Sequence, residues 1–348
     1  MASTPKTDIF DSIAADTMKQ IWNRTPRSYQ GPVISHLLQM MALNIHPDPV
    51  LLVQSTGSGK STVPLTCSVV DGGISIIIEN TLALGSDQSS KVKHLASTDV
   101  KNVKSFHLDM FKSNSDRDLL FKAIISHCTF NYESSIILFT SPEAMLQPLS
   151  LGFIKNIVSL DMLNLFCIDE VHLFVEFGIS FRHEFQLVKT KLLPLLQDDN
   201  RRFKIPVLLM TATLDATLFG LIQLLLGINI KQYNIFWGEP ASFSKRNIKI
   251  EMKYSIQYFK HTTDDILSTC AGNDECKTII IASTAKKSTE IQSKLDHWLD
   301  RNESIKGDSC LIIGDLETEL KFGLTTAFTN TNFGPNGNSK ISSTRLSP

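Results

Sequence analysis

The stretch LLVQSTGSGKST, from Leu51 to Thr62, places two glycines, a lysine and several hydroxyl side chains directly behind an apolar run. Gly57 and Gly59 would let backbone N–H groups turn toward an anion, and a helix starting just after them would add its positive dipole end. Lys60 would then reach the β- and γ-phosphates of a nucleotide, and the Ser61 hydroxyl would bind Mg²⁺. The order strand, loop, helix therefore predicts a nucleotide site.

A pair of carboxylates downstream supplies a second part of this site. Gln54 occupies the first glycine position of the pattern G-x-x-x-x-G-K-[ST], so the loop alone also fits an ordinary Gly/Ser turn. Asp169 and Glu170 follow the apolar run LNLFCI and begin a DEVH tetrapeptide that ends at His172. At the carboxyl end of a buried strand, Asp169 can hold Mg²⁺ while Glu170 orients or deprotonates a water. A solvated surface pair is the alternative, but both features together predict ATP and Mg²⁺ binding.

Short apolar runs recur along the chain, each followed by a helix-compatible stretch. A helical rhythm of apolar residues comes first, from Asp8 to Trp22. The alternation that follows is typical of an α/β fold with a buried parallel sheet flanked by helices. The predicted strands are VLLV (50–53), ISIII (74–78), SIILF (135–139), LNLFCI (163–168) and PVLLM (206–210).

Breaks in this pattern divide the chain into consecutive parts. Gly238-Glu239-Pro240 interrupts the alternation, and we place a domain boundary within 236–246. After residue 328 the chain is rich in Asn, Ser and Gly, a composition that predicts disorder. The predicted parts are an N-terminal helix (1–25), an ATP-binding domain (26–236), a partial second domain (246–328) and a disordered tail (329–348).

Composition excludes several classes of protein. The 348 residues, 42% of them hydrophobic, suffice for two medium α/β domains, and the formal net charge of −1 gives no overall attraction to polyanions. Six cysteines stand singly with no zinc-site spacing, so we expect a reducing intracellular compartment and interpret Cys167 as a core residue. The sequence has neither a secretory leader nor a run of 18 apolar residues, and we expect no membrane partner.

The two candidate motifs resemble those of superfamily 2 helicases. The family's loop has the form [AS]-x-T-G-x-G-K-[ST] with no leading glycine, and Thr56 to Ser61 supply T-G-x-G-K-S directly, so the missing glycine at Gln54 is expected. The DEVH tetrapeptide resembles motif II. Thr211-Ala212-Thr213 resembles motif III, which in that family couples ATP hydrolysis to strand movement. The resemblance implies RecA-like parallel sheets flanked by helices, with one complete lobe and a partial second lobe.

Three further stretches resemble RecQ-like DNA helicases. NTLALGSDQ (80–88) is similar to the P-L-x-x-L-x-x-D-Q segment, and FTSPEAM (139–145) to the T-P-E segment, with Ser141 for threonine and an implied contact with DNA. RSYQ (27–30) matches R-x-x-Q, whose glutamine reads the adenine edge in that family. The implied catalytic residues are Lys60, Asp169, Glu170 and His172. The implied ATP-binding residues are Arg27, Gln30, Ser55, Thr56, Gly57, Ser58, Gly59, Lys60, Ser61 and Thr62.

The segment DEVHLFVEFGISFRHEF (169–185) resembles the RecQ aromatic-rich loop D-E-x-H-C-x-S-x-W-G-H-D-F-R-x-x-Y and keeps its length. That loop senses single-stranded DNA in the family, which implies DNA contacts for Phe177, Phe181 and Arg182. Aromatic faces stack on bases at ~1–3 kcal/mol each without requiring a sequence. Spacing alone favours the alternative, a helix whose core face carries Phe174, Phe177, Phe181 and Phe185.

The second half matches the family less fully. Residues 277–295 resemble motif IV, but motif VI, Q-x-G-R-x-G-R, is not found, and only Arg345 follows Arg301. An arginine that acts on the γ-phosphate is worth ~10³–10⁵ in turnover, so slow hydrolysis is expected. We interpret the chain as a truncated product, a gene-model fragment or a degenerate copy.

Three functions remain open from the sequence. The first is a RecQ-like ATP-dependent helicase that moves 3′ to 5′ on single-stranded or partly duplex DNA, with a nuclear location if the source is eukaryotic. The second is an ATP-gated DNA-binding module that does not unwind duplexes. The third is a P-loop ATPase that remodels protein and shows no response to DNA.

Overall fold

The computed structural model describes residues 7–43, 48–79, 92, 103–131, 134–178, 184–197 and 203–238, with single positions at 289, 293 and 297. The chain divides into two compact units, Met1–Arg246 and Asn247–Pro348. The predicted 80–88 motif, the tail and, apart from those three positions, the predicted second domain lie outside the described residues.

A parallel sheet forms the centre of the first unit, as the apolar runs predict. Within the described ranges its strand order is β3-β4-β2-β5-β6-β1-β7, and all neighbouring pairs are parallel. The strands are β1 (Val50–Val53), β2 (Gly73–Ile78), β3 (Val103–His107), β4 (Ser135–Thr140), β5 (Leu163–Ile168), β6 (Val207–Thr211) and β7 (Ile235–Trp237).

Helices connect these strands and cover both faces of the sheet. They are α1 (Thr7–Trp22), α2 (Gln30–Leu43), α3 (Thr62–Asp71), α4 (Asn114–Phe130), α5 (Pro142–Met145), α6 (Pro148–Ser159), α7 (Leu173–Gly178), α8 (Glu184–Leu187) and α9 (Ala216–Leu226). Across the described part of the chain, none of the helices is long and apolar enough to cross a membrane.

Capping residues set several helix boundaries. The Ser113 side chain accepts the Asp116 N–H at 3.0 Å where α4 begins. Asp215 does the same for the Leu218 N–H, at 2.8 Å, at the start of α9. Gly227 ends α9 with φ 65°, a left-handed conformation that glycine adopts without steric cost.

Each face of the sheet buries its own hydrophobic cluster, because successive side chains of a strand point to opposite sides. From β1, Leu51 and Val53 join the cluster that contains residues of α4, α6 and α9. Val50 and Leu52 join the cluster that contains residues of α1, α2 and α3. Leu52 is fully buried, so truncating it to alanine would cost about 2–5 kcal/mol of stability.

Parallel pairing brings the carboxyl ends of the strands to one edge of the sheet, which we call the carboxyl edge. The phosphate-loop candidate follows β1, the DEVH tetrapeptide follows β5, and the predicted motif III begins at the last residue of β6. β1 pairs with β6 and β6 pairs with β5, so these three segments lie side by side.

Candidate nucleotide site

The loop after β1 is a tight turn that depends on its glycines. Gly57 and Gly59 have φ values of 75° and 93°, in the left-handed region that favours glycine. Ser58 bonds back to the Ser55 carbonyl oxygen through both its N–H, at 3.2 Å, and its hydroxyl, at 2.5 Å. Helix α3 begins directly afterwards, at Thr62, so its positive dipole end faces this loop.

Lys60 lies inside the turn and is almost completely buried, with 7% of its surface exposed. Its Nζ donates to the Gln54 carbonyl oxygen at 2.9 Å and lies 3.8 Å from Glu170 Oε1. A buried ammonium is costly unless it is paired, and an ion pair at 3.8 Å with a partly exposed carboxylate neutralises it only in part. The Lys60 ammonium therefore places a buried positive charge inside the loop, next to the two carboxylates of DEVH, where an anionic group would interact with it.

The two carboxylates of DEVH are held in different environments. Asp169 is 8% exposed, and its Oδ1 accepts the Glu170 N–H at 2.9 Å. Burial and, to a smaller extent, the Glu170 charge raise the pKa of Asp169 to about 6, while the Glu170 N–H and Lys60 oppose the rise. Glu170 itself has φ 47°, and such left-handed backbone costs of order 1–3 kcal/mol in a non-glycine residue. Strain and a buried carboxylate together are typical of a functional site.

His172 joins the DEVH tetrapeptide to the predicted motif III. Its Nδ1 lies 3.0 Å from Thr211 Oγ1 and 3.3 Å from Glu170 Oε2. The Thr211 hydroxyl donates to the Thr213 carbonyl oxygen at 2.8 Å. Because that hydroxyl has a single hydrogen, Thr211 must accept from His172, which assigns a proton to Nδ1. The predicted coupling residues Thr211 and Thr213, with Ala212 between them, thus connect to Glu170 through His172.

The RSYQ segment contacts the loop from its other side. Gln30 Nε2 donates to the Gly59 carbonyl oxygen at 3.0 Å and to Thr62 Oγ1 at 2.7 Å, and Gln30 Oε1 accepts the Arg27 N–H at 2.8 Å. The side chains of Arg27 and Tyr29 both donate to the Ser58 carbonyl oxygen. In this structure the Gln30 amide is bonded to the loop, and its predicted contact with adenine stays a prediction.

Tyr29 is a site residue that the sequence reasoning missed. It fills an unspecified position of R-x-x-Q, yet its buried hydroxyl donates to the Ser58 carbonyl oxygen at 2.9 Å. Burial raises the pKa of Tyr29, so the phenol remains a donor at neutral pH. The type of residue within the motif was the available signal, because a tyrosine between Arg27 and Gln30 has the reach to contact the same loop.

Ser141, predicted to contact DNA, is bonded within the protein. Its hydroxyl donates to Asp109 Oδ1 at 2.5 Å, and its N–H donates to Asp109 Oδ2 at 2.8 Å. The same hydroxyl caps α5 by accepting the Ala144 N–H at 3.2 Å. Asp109 is the second residue that sequence reasoning missed, and it places Ser141 in a structural network at the end of β4.

The aromatic segment after DEVH is only partly described. Phe174 and Phe185 are buried and stack on each other, with ring centroids 4.2 Å apart and planes at 17°. These two phenylalanines belong to the core, but they lie on two separate helices, α7 and α8, and not on the single helix that the spacing predicts. Phe177 falls within α7, while its side chain, together with Phe181 and Arg182, lies outside the described residues.

A comparison with protein families matches residues 27–219, more than half of the chain, to the model of the DEAD/DEAH box helicases. A curated relative from Caenorhabditis elegans, which carries the name ATP-dependent DNA helicase Q1, is 23% identical over 274 residues. The match covers 77% of this chain and 37% of that protein. The chain therefore spans little more than a third of the length of this curated relative.

Solved structures with a similar fold include the DUF1998 helicase MrfA and S. cerevisiae Dbp5. The DUF1998 helicase MrfA bound to DNA gives a TM-score of 0.56 at 16% identity, covering 94% of this chain and 41% of that one. S. cerevisiae Dbp5 bound to RNA and ADP BeF3 gives a TM-score of 0.59 at 14% identity, covering 92% of this chain and 72% of that one. At such identities the similarity establishes the fold alone.

Proposed function

The chain belongs to the DEAD/DEAH box helicase family, and from this premise we propose that it hydrolyses ATP, with Mg²⁺, to act on nucleic acid. The observation that carries the proposal is the position of Lys60. Its buried ammonium lies inside the glycine turn, 3.8 Å from Glu170, at the edge where β1, β5 and β6 end. A family match without that constellation would indicate ancestry but not chemistry.

The residues around Lys60 fit a nucleotide with its magnesium ion. Asp169 and Ser61 offer carboxylate and hydroxyl oxygens, the hard donors that Mg²⁺ prefers. Burial disfavours the ionised form of Asp169, so a cation there would restore the balance of charge. Bound Mg²⁺ would neutralise charge on the phosphates, while Glu170 orients or deprotonates the attacking water.

The contacts of His172 suggest how nucleotide binding near Glu170 would affect the predicted motif III. A change at Glu170 on nucleotide binding would alter the 3.3 Å contact with His172 and, through Nδ1, the bond to Thr211. Thr211 is the last residue of β6, and Thr213 lies beyond the strand. We therefore assign coupling to Thr211, Ala212 and Thr213, and adenine recognition to Arg27 and Gln30.

The finer proposal is a RecQ-like DNA helicase that moves 3′ to 5′, with nuclear work if the source is eukaryotic. Support comes from the RecQ-like motifs at 80–88, 139–145 and 169–185 and from the C. elegans relative. DNA contacts are assigned to Phe177, Phe181, Arg182 and Ser141. The alternative is an ATP-gated DNA-binding module that does not unwind duplexes.

Steady-state ATP hydrolysis tests both proposals. The purified chain is assayed alone, with single-stranded DNA and with single-stranded RNA, beside Glu170→Gln as the matched inactive variant. Turnover that DNA stimulates and Glu170→Gln lowers by about 10²–10⁴-fold supports the motor. ATP binding without stimulated turnover supports the module, stimulation by RNA alone contradicts the DNA assignment, and no ATP binding contradicts both.

A further inference from the structure

Gln54 joins three parts of the nucleotide site and is nearly inaccessible to solvent, with 2% exposure. Its N–H donates to the Thr211 carbonyl oxygen at 3.0 Å, which extends the β1–β6 pairing beyond the strands. Its carbonyl oxygen accepts Lys60 Nζ at 2.9 Å. Its side-chain Oε1 accepts the Ser55 N–H at 2.9 Å. The residue that departs from the glycine pattern thus forms the base of the loop.

The Gln54 side chain also fills the space where Gly238 would carry a side chain. A Cβ atom at Gly238 would lie 2.1 Å from Gln54 Oε1 and 2.3 Å from its Cδ and Nε2. Gly238 is not among the described glycines with positive φ, so its backbone does not itself require glycine. The Gly238 N–H donates to the Val53 carbonyl oxygen at 2.8 Å, and this bond holds the Gly238 backbone next to the Gln54 side chain.

A methyl group at Gly238 would meet the end of a flexible side chain, which could rotate away. That rotation has a specific cost, because Oε1 is the acceptor for the Ser55 N–H. The strain would therefore pass from Gly238 through Gln54 to the start of the phosphate loop. The backbone bond between Gln54 and Thr211 would be kept, so the strand pairing need not change.

We propose that Gln54 is a positioning residue for the phosphate loop and that Gly238 is its required partner. The Gln54 side-chain amide holds the first turn of the loop in place before nucleotide binds. It also fixes the position of the Gln54 carbonyl oxygen, which accepts the hydrogen bond from Lys60. A loop that is already ordered loses less conformational freedom on binding and so binds ATP more tightly. This inference rests on the proposed ATP site.

Four variants test the role. Gln54→Met keeps the bulk of the side chain but removes the acceptor for Ser55. Gln54→Ala removes both the bulk and the acceptor. Gly238→Ala adds a methyl group that displaces the Gln54 amide. The double variant Gln54→Ala with Gly238→Ala leaves space for that methyl group. Gly220→Ala is the matched control, since a Cβ at Gly220 would meet no atom within 4 Å. Each variant is measured for affinity toward a fluorescent ATP analogue, KM and kcat for ATP, and thermal unfolding without nucleotide.

We expect Gln54→Met and Gly238→Ala each to raise the dissociation constant and KM about threefold to tenfold, the effect of one hydrogen bond. We expect kcat to change less than about twofold, because the chemistry at Glu170 is untouched. The double variant should bind ATP no more weakly than Gln54→Ala alone, since contacting residues are non-additive. Gly220→Ala should bind like the parent.

Two results would overturn the inference. One is parent-like ATP affinity in Gln54→Met, which decides the matter even if Gly238→Ala fails to fold. The other is an effect of Gly238→Ala that persists undiminished when residue 54 is alanine. If the parent chain itself binds no ATP, the proposed function fails, and the unfolding temperatures of the same four variants still test whether Gly238 acts through Gln54.

Discussion

The two halves of the carboxyl edge differ in how their carboxylates are compensated. The nucleotide half, at the ends of β1, β5 and β6, buries Lys60 and Asp169 with incomplete compensation: the ion pair with Glu170 is 3.8 Å long and burial raises the pKa of Asp169 to about 6. In the outer half, at the ends of β3 and β4, each oxygen of Asp109 accepts a hydrogen bond from Ser141, whereas neither ring nitrogen of buried His107 has a hydrogen-bond partner among the described residues. Incomplete neutralisation identifies the first half as the place for a charged ligand.

This difference predicts opposite responses to mutation. Neutralising a buried, poorly compensated charge relieves a desolvation cost and should stabilise the fold while removing function. Removing a member of a satisfied network leaves a partner without its bond and should destabilise the fold. The following predictions test the contrast, beginning with the largest effect.

Lys60→Ala should abolish the anion site. We expect ATP hydrolysis to fall by at least about 10²-fold and ATP affinity to fall with it, because the buried cation that faces the phosphates is removed. Steady-state kinetics and titration with a fluorescent ATP analogue measure both. Lys122→Ala is the control, since Lys122 is 72% exposed and pairs with Asp118 on the surface of α4. Unchanged ATP binding in Lys60→Ala would contradict the assignment of the nucleotide half as an anion site.

Asp169→Asn should make the protein more stable at pH 7.5 while lowering turnover. The pKa of Asp169 is raised from 3.8 to about 6, so the folded state holds the proton more tightly than the unfolded state. Its stabilising contribution is full below pH 3.8 and is lost as the pH rises through about 6. Two pKa units correspond to about 3 kcal/mol, so we expect a gain of about 1–3 kcal/mol at pH 7.5 and little near pH 4.

Urea unfolding at the two pH values measures this gain. The oxygen of the substituted amide could still accept the Glu170 N–H, so the variant changes the charge more than the packing. Asp118→Asn is the matched control, because the Asp118 side chain is 42% exposed. A lower stability of Asp169→Asn than of the parent at pH 7.5 would mean that the buried carboxylate is already compensated, contrary to the comparison.

Ser141→Ala should lower the stability of the fold, in contrast to Asp169→Asn. It removes the hydroxyl bond to Asp109 and the cap of α5, and we expect a loss of about 1–2 kcal/mol. Asp109→Asn should lower the free energy of unfolding less in the Ser141→Ala variant than in the parent, because the two residues share one hydrogen-bond network. Ser159→Ala, which removes an exposed bond to the Asn156 carbonyl oxygen, serves as control. Additive losses in urea unfolding would contradict the network.

The sequence predicts the centre of this sheet better than its margins. β1 and β5 match their predicted residues, because strands buried on both faces are continuous apolar runs. The edge strands β3 and β7 went unpredicted. VKSFH exposes Lys104 and mixes polar with apolar residues, and β7 is only three residues long. An edge strand has one paired side, so its sequence is constrained less strongly.

The site divides in the same way. Lys60 and the Asp169-Glu170 pair could be predicted because each part is a local pattern whose spacing follows from its chemistry. Asp109 could not, since it meets Ser141 across 32 positions of sequence and only the pairing of β3 with β4 brings them together. Gln54 was noticed as a departure, but its contact with Gly238 depends on β7, which the sequence did not reveal.

His107 gives the smallest test and contrasts directly with Asp169. Burial lowers the pKa of His107, with Lys112 acting in the same direction and Asp109 opposing. The folded state therefore binds this proton less tightly, and stability present above pH 6.5 is lost as the pH falls below it. Lowering the pH from 7 to 5 therefore reduces the stability contributed by His107 in the outer half, while protonation of Asp169 increases the stability contributed by the nucleotide half.

We expect His107→Asn to lose less stability than the parent between pH 7 and 5, by under about 1 kcal/mol. Thermal unfolding of both proteins at both pH values isolates this residue, because His36, whose pKa burial also lowers, is present in both. Equal losses would show that His107 contributes nothing to the pH response of its half.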